Sequence, residues 1–568
     1  MNTLHKSLLT TSIVSLCCAI GASANAATIT TGTASISGTT TGTTSINGTV
    51  RAGVGDFGIK ADTPGTAEIN AEDTPNVITE VRPAAVAIGG IDGGDGTLRV
   101  VGDGTPGSAL VITPNIRVRA DSENRVEVLN GGHLISDTDG TGRSQQIIIG
   151  ADDDEFDPVR SRGSTTVVVD GAGSLLESNG RLTIGFQNDT PDDFTISNGG
   201  RVVVKEPDNF ADRVVASSDP GEGASGVVSL GGDFSNNPTT QALDTLTVTG
   251  AGSELVYSSG IFTNTGNNRI TVSDGGAIRQ VETGDIDTRR DMVSAFDDNS
   301  FGIFLGSAVG ESSLTVEGTG SVVTSTRGVS IGAGDVFVGF DDPDTFTGPI
   351  FEPSSAEITV RDGALLSTAG ELRVSDEDGE GTGFLTVASG GRVEADKVIV
   401  NGGGLLSGNG GTIAADVVLN GGTIAPGASP GIMNIDGDLE VLDGLLSFEI
   451  GGSALGMFDQ LFVSGDLITP SGLNIEISFL DSFLPQMGDT FDFLTVDGDA
   501  PIFGDPDSIS FSFFGDNPGL DFSFNSGGFS AVVTGGGGVS PVPLPASLPL
   551  LLAAVGGLAW RSRKAKAA

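Results

Sequence analysis

Val167-Val168-Val169-Asp170-Gly171-Ala172-Gly173-Ser174-Leu175-Leu176, followed by Leu182-Thr183-Ile184-Gly185, returns later in the chain as Leu314-Thr315-Val316-Glu317-Gly318-Thr319-Gly320-Ser321-Val322-Val323, followed by Val329-Ser330-Ile331-Gly332. Fifteen residues separate Val169 from Ile184 and again Val316 from Ile331, so the spacing is held while the polar residues change. Leu246-Thr247-Val248-Thr249-Gly250-Ala251-Gly252-Ser253 opens a third copy. Ile358-Thr359-Val360-Arg361-Asp362-Gly363-Ala364-Leu365-Leu366 opens a fourth, one residue shorter before Val374. Such self-similarity predicts a solenoid, in which each coil buries its apolar side chains only by stacking on its neighbours.

The same grammar extends over residues 91–450: a short β-branched run, a Gly pair or a Gly-x-Gly-Ser turn, then a second apolar pair. Val126-Glu127-Val128 stands before Gly131-Gly132, Phe194-Thr195-Ile196 before Gly199-Gly200, and Ile270-Thr271-Val272 before Gly275-Gly276. Alternation points the apolar members of each run to one side, and glycine supplies the positive φ that tight corners need. Val398-Ile399-Val400-Asn401-Gly402-Gly403 returns as Val417-Val418-Leu419-Asn420-Gly421-Gly422, 19 residues later, a length that fits one circuit of three short strands and three turns. Identical positions recurring once per circuit predict a parallel stack. Asp-, Pro- and Asn-rich excursions at 151–163, 205–243, 283–300 and 335–355 read as surface loops inserted between coils.

Composition agrees with many thin layers. Apolar content is 38 %, mostly small and β-branched, aromatics are 5 %, and there are 88 glycines. Recurrent Gly, Thr, Ser, Asn and Asp disfavour long helices. Residues 1–26 combine a basic start at His5 and Lys6, an apolar stretch from Ile13 to Ile20, and Ala24-Asn25-Ala26 as a small-residue cleavage site, the pattern of a secretory signal peptide. Cys17 and Cys18 both lie in it, so the remainder has no thiol for disulfides, zinc or nucleophilic catalysis. At the other end, residues 535–568 hold a Gly535–Gly538 linker, Val542-Pro543-Leu544-Pro545-Ala546, an apolar run from Leu548 to Trp560, and a basic tail of Arg561, Arg563, Lys564 and Lys566. By the positive-inside rule this is a short membrane-anchoring helix with a cytoplasmic stop. Without the two ends, 23 Lys and Arg face 73 Asp and Glu, a net charge of −50. That balance argues against nucleic acid, whose phosphates need clustered cations, and keeps a long secreted chain soluble.

A Pro-rich motif, a short apolar helix and a basic tail in that order resemble the PEP-CTERM class of sorting signals in its VPLPA variant. The resemblance covers about 25 residues of the chain. It implies recognition by an exosortase in a Gram-negative bacterium, cleavage near Val542–Ala546, and delivery to the cell surface or its polysaccharide matrix. The repeats also resemble the passenger regions of autotransporter-like surface proteins, which fold as right-handed parallel β-helices. Gly422-Thr423-Ile424-Ala425-Pro426-Gly427-Ala428-Ser429-Pro430-Gly431 carries that likeness most closely, and Phe458-Asp459-Gln460-Leu461-Phe462-Val463-Ser464-Gly465 and Gly488-Asp489-Thr490-Phe491-Asp492-Phe493-Leu494 match the β-rich end of such regions. The chain departs from autotransporters in lacking the repeated alternating strands of an outer-membrane barrel after residue 497. The expected organisation is a signal peptide (1–26), a Thr/Gly-rich cap or first coils (27–90), parallel β-helix repeats (91–450), a β-rich C-terminal region (451–534), and the linker, motif, transmembrane helix and tail (535–568).

Few residues invite chemistry. A Ser-His-Asp triad would have to use His133, the one histidine outside the signal peptide, and no Gly-x-Ser-x-Gly elbow accompanies it. Lys397 and Arg289-Arg290 are the cations a polysaccharide lyase would recruit, and solvated coil positions are the plainer reading. Asp137-Thr138-Asp139-Gly140 and Asp376-Glu377-Asp378-Gly379 place alternate carboxylates ahead of a glycine, as calcium loops do, but neither completes an EF-hand. The expectation is a secreted structural or adhesive protein of a biofilm or envelope layer, not an enzyme, meeting extracellular polysaccharide or other copies of itself. A polysaccharide lyase or hydrolase and a calcium-dependent adhesin are the alternatives.

Overall fold

In the computed structural model the described residues are 96–113, 115–119, 123–137, 146–151, 163–186, 190–205, 226–231, 242–264, 266–281, 301–306, 310–332, 355–376, 381–427, 430–481 and 483–498, with isolated strand segments between 36 and 88 and between 502 and 534. Among them are strands, turns and bends and no helix. The signal peptide with Ala24 and Ala26, the motif Val542–Ala546 and the apolar run 548–560 lie outside the described residues, as does most of each acidic excursion. The chain forms two compact units, Met1–Ile358 with Ala364–Gly370, and Thr359–Gly363 with Glu371–Ala568.

The first unit is an all-β parallel solenoid of three-strand coils. Its first face stacks Gly65–Asn70, Gly96–Val101, Asn124–Leu129, Thr165–Asp170, Asp193–Ser197, Leu243–Thr249, Asn267–Ser273 and Glu311–Glu317, each paired in parallel with the next. A second face runs from Thr79–Val81 to Leu365–Thr368 and a third from Ile36–Ser37 to Gly328–Ile331. The strands described between Ile36 and Ile88 pair in parallel with those that follow them. Register aligns like with like: Leu98, Val126, Val167, Phe194, Leu246, Ile270 and Leu314 form one column inside the first face, each at most 2 % exposed. A coil alone cannot bury these side chains, so the apolar burial of each depends on its neighbours. The outward column of the third face is exposed at Arg117 but covered beyond it, where Ile148, Thr183, Ser229, Phe304 and Ser330 are buried and Phe262 half-buried in register.

The turns between the first and second faces show why copies of the sequence recur as they do. Short turns at Asn130-Gly131, Asn198-Gly199 and Asp274-Gly275, each with two consecutive positive φ values, alternate with Gly-x-Gly-Ser turns at 171–174, 250–253 and 318–321. The two kinds interlock. Ser174, Ser253 and Ser321 each accept at Oγ the N–H of the short turn in the adjacent coil, from Gly131, Gly199 and Gly275, all at 3.0 Å. The glycine after each short turn leaves no room for a side chain, because a Cβ on Gly132, Gly200 or Gly276 would stand 2.2–2.4 Å from a carbonyl oxygen of the preceding coil. Sequence copies opened by Val167, Leu246 and Leu314 are thus alternate coils, and the shorter fourth copy, with Asp362 and Gly363 both at positive φ, belongs to the other class.

The second unit continues the same grammar with tighter coils. Val398, Ile399 and Val400 pair in parallel with Val417, Val418 and Leu419, the 19-residue circuit read in the sequence, and Asn420 Nδ2 donates to Asn401 Oδ1 at 3.0 Å. Parallel pairing runs on through Ile432–Ile435 with Gln460–Val463, and Leu473–Phe479 with Ile509–Phe514. Antiparallel pairing closes it: Gly528–Val533 lies between Thr490–Val496 and Leu520–Asn525. Here phenylalanine replaces the β-branched core, with Phe448 against Phe493 at 4.9 Å and Phe458 against Phe491 at 5.6 Å.

Two glycines in this arrangement separate crowding from backbone preference. Gly200→Ala drives a Cβ into the Val169 carbonyl at 2.2 Å, whereas Gly250→Ala meets nothing closer than 3.5 Å and strains only a φ of +89°. In urea unfolding followed by circular dichroism, Gly250→Ala should cost about 1–2 kcal/mol and Gly200→Ala clearly more. Leu246→Ala, in the middle of the apolar column, should cost about 2–5 kcal/mol in the same assay.

Candidate functional site

Outward positions on the first face carry Arg99, Glu127 and Val168 in the earlier coils and hydroxyls from Asp193–Ser197 onward. Thr195, Thr247, Thr271 and Thr315 stand in one parallel column, and Ser197, Thr249 and Ser273 in the next. They alternate along each strand with the buried Phe194, Ile196, Leu246, Val248, Ile270 and Val272, so the same two-residue period that fills the core lays out the surface. Neighbouring coils are linked across it: Ser273 Oγ donates to Thr249 Oγ1 at 3.0 Å, and Ser197 Oγ to Asp170 Oδ1 at 2.6 Å. The second face carries ion pairs between coils. Glu254 pairs with Arg201 at 3.0 Å and with Arg279 at 3.1 Å, and Lys205 pairs with Glu177 at 2.8 Å, each between adjacent coils. Half-exposed pairs of this kind contribute roughly 0–1 kcal/mol each.

Inside the corners run polar columns that the sequence reading did not single out. Asn124, Thr165, Asp192, Asp244, Asn268 and Ser312 are all buried at the entry of first-face strands. Thr165 N–H donates to Asp192 Oδ1 at 2.7 Å, and Asp192 N–H to Asp244 Oδ1 at 3.0 Å, so each carboxylate holds the backbone of the coil before it. At the exit of second-face strands Thr113, Ser136 and Ser178 and, beyond the apolar Val204, Tyr257, Gln280, Ser325 and Thr368 form another buried column. Gln280 Nε2 donates to the Ser259 carbonyl at 2.9 Å while its Oε1 accepts from Ser325 Oγ at 2.8 Å and Thr326 N–H at 3.0 Å. A Ser or Thr closing Leu134-Ile135-Ser136, Leu176-Glu177-Ser178 and Val323-Thr324-Ser325 was the signal available for it.

Asp459 joins two segments singled out in the sequence. Its Oδ1 accepts Gly431 N–H and its Oδ2 accepts Glu449 N–H, both at 2.7 Å, clamping the end of the Gly422–Gly431 stretch to the Phe458–Gly465 stretch. Gly427 must be glycine beneath it, since a Cβ there would lie 2.5 Å from Asp459 Oδ1. Burial pushes the Asp459 carboxyl up to about 7, outweighing the two backbone bonds that lower it, and the Glu449 charge adds to the rise. Burial likewise raises Asp244 to about 7, against the Asp192 N–H bond and together with the charge of Asp193.

The other residues singled out for chemistry are dispersed. His133 opens a second-face strand, its Nε2 donating to the Gly173 carbonyl of the next coil at 3.1 Å, and burial lowers its pKa. Tyr257 is fully buried, which raises its hydroxyl well above the ordinary value. Lys397 stands in register between Glu371 and Asp416, and Arg289-Arg290 lies outside the described residues. Of the candidate calcium ligands, Asp137 directly follows His133–Ser136 and Asp376 accepts Gly381 N–H at 3.5 Å. Asp139 and Asp378 lie outside the described residues. Among the described residues no three His, Cys, Asp or Glu side chains converge to hold a metal ion.

The raised carboxyls give stability a pH dependence of definite sign. A carboxyl whose folded pKa exceeds its unfolded value near 3.8 contributes fully below that value and loses its contribution as pH rises toward about 7. Urea midpoints should therefore fall between pH 4 and pH 8. Asp244→Asn keeps an acceptor for Asp192 N–H and cannot ionise, so it should flatten that fall by at most about 4 kcal/mol. An unchanged slope would contradict the assignment.

No protein-family model matches this chain, and no curated protein matches it.

Proposed function

We propose that this chain is a secreted scaffold of the bacterial envelope or extracellular matrix, sorted by an exosortase-type protease through Val542–Ala546 and anchored in the membrane through 548–560 until processed. The winding is a right-handed parallel β-helix, the sense that strand-to-parallel-strand crossovers adopt in about 98 % of cases. The role is structural or adhesive, as in a Gram-negative biofilm or envelope layer.

The observation that carries this reading is the hydroxyl array of Thr195, Thr247, Thr271 and Thr315. A row of hydroxyls repeating once per coil matches a polymer that itself presents hydroxyls at regular intervals, so extracellular polysaccharide is the natural ligand of that face. Each hydroxyl contributes a modest hydrogen bond, about 0.5–1.5 kcal/mol net, and repetition turns them into useful affinity. A net charge of −50 outside the two ends keeps such molecules apart except where a specific surface joins them.

Two experiments test the reading. Replacing Thr195, Thr247, Thr271 and Thr315 together by Val, which preserves shape and strand preference, should reduce co-sedimentation with the producing organism's own polysaccharide by about tenfold or more and leave the melting midpoint in place. Release of unsaturated or new reducing ends from that polysaccharide would instead establish a lyase or hydrolase. Replacing Val542–Ala546 with alanines and glycines should leave the chain unprocessed in the inner-membrane fraction. Normal surface delivery of that variant would remove the sorting assignment.

A further inference from the structure

Four large apolar side chains stand open to solvent on two loops of the second unit: Leu455 is 82 % exposed, Met457 46 %, Leu484 79 % and Met487 77 %. The loops belong to neighbouring coils at one corner. Ile450 pairs with Phe479, Leu480 N–H donates to the Ile450 carbonyl at 2.9 Å, and Phe458 and Phe483 both rest edge-on against Phe491, at 5.6 and 6.4 Å. A cluster of exposed Leu and Met over an aromatic base marks a surface meant to be covered.

The end of the described chain lies at the same loops. Gly488 N–H donates to the Val533 carbonyl at 2.9 Å and Val533 N–H to the Asp489 carbonyl at 3.1 Å. Thirteen residues separate Thr534 from Leu548, where the apolar run to Trp560 begins, and they open with Gly535–Gly538. A Gly-rich stretch of that length spans roughly 20 Å. We infer that the run 548–560 docks on the patch of Leu455, Met457, Leu484 and Met487 of its own chain, shielding the apolar tail whenever it is out of a membrane.

Charge selects this occupant over others. Asp481 and Asp489 bracket Leu484 and Met487 on their loop, Asp489 Oδ2 accepting Gln486 N–H at 2.8 Å, whereas Arg561, Arg563, Lys564 and Lys566 follow the run. An acidic rim repels an anionic lipid surface and a second copy of so acidic a chain, but attracts the chain's own basic tail. Tethering supplies an effective concentration in the millimolar range, enough for a small apolar contact that would be negligible between separate molecules.

Trp560 is the only tryptophan in the sequence, so its fluorescence reports the run alone. In the purified full chain, free of detergent and vesicles, Trp560 emission should be blue-shifted, and acrylamide should quench it at least about threefold less than in a Leu455→Asp/Leu484→Asp double variant. Both substitutions are at exposed positions, and an unchanged melting midpoint for the double variant confirms that only docking is affected. The inference is overturned if Trp560 is equally quenched in the two proteins, or if its protection disappears on dilution, which would place the run between molecules. Because no protease or membrane is present, this result is independent of whether the sorting motif is recognised.

Discussion

Parallel register between successive coils is the constraint on which the rest of this protein depends. A column such as Leu98, Val126, Val167, Phe194, Leu246, Ile270 and Leu314 exists only if each coil lies over the last without a slip, because a shift of one residue would turn every apolar side chain outward. No single coil holds a core of its own. The interlocking of short and Gly-x-Gly-Ser turns enforces register at the first corner, since the Ser174, Ser253 and Ser321 hydroxyls reach the glycine N–H groups only in the correct pairing.

Polar residues finish what the apolar columns begin. A corner in a tightly wound coil leaves backbone N–H groups that the strand ladders do not use, and buried N–H groups without partners are costly. Asp192, Asp244 and Asp459 meet that need from the adjacent coil, and at Asp244 and Asp459 burial disfavours ionisation in return. In so acidic a chain most carboxylates belong to the solvent. These few belong to the fold.

Much of the architecture was legible in the residues. Two-residue alternation in Leu246-Thr247-Val248-Thr249 gave the inward and outward sides at once, and the 19-residue return of Val398-Ile399-Val400 gave the circuit and its parallel sense. The short fourth copy beginning at Ile358 looked like a variant of the first three, because a linear reading aligns what resembles and has no means of seeing that a second turn class lies between. The polar columns were hidden for a similar reason: their members, such as Asp192 and Asp244, are 52 residues apart in sequence, and acidic side chains beside acidic excursions carry no local mark of burial.

The sequence by itself determined that the chain winds in short β-branched strands with glycine corners, that its bulk is strongly acidic, and that apolar segments stand at both ends. These are properties of period and composition, which need no third dimension. Only tertiary structure decided which coil follows which turn, that Asp459 fastens the Gly431 corner, and that exposed Leu and Met gather where the chain leaves its last strand. Each of these depends on residues distant in sequence being brought to within a few ångströms, and a pattern read along the chain contains no such distances.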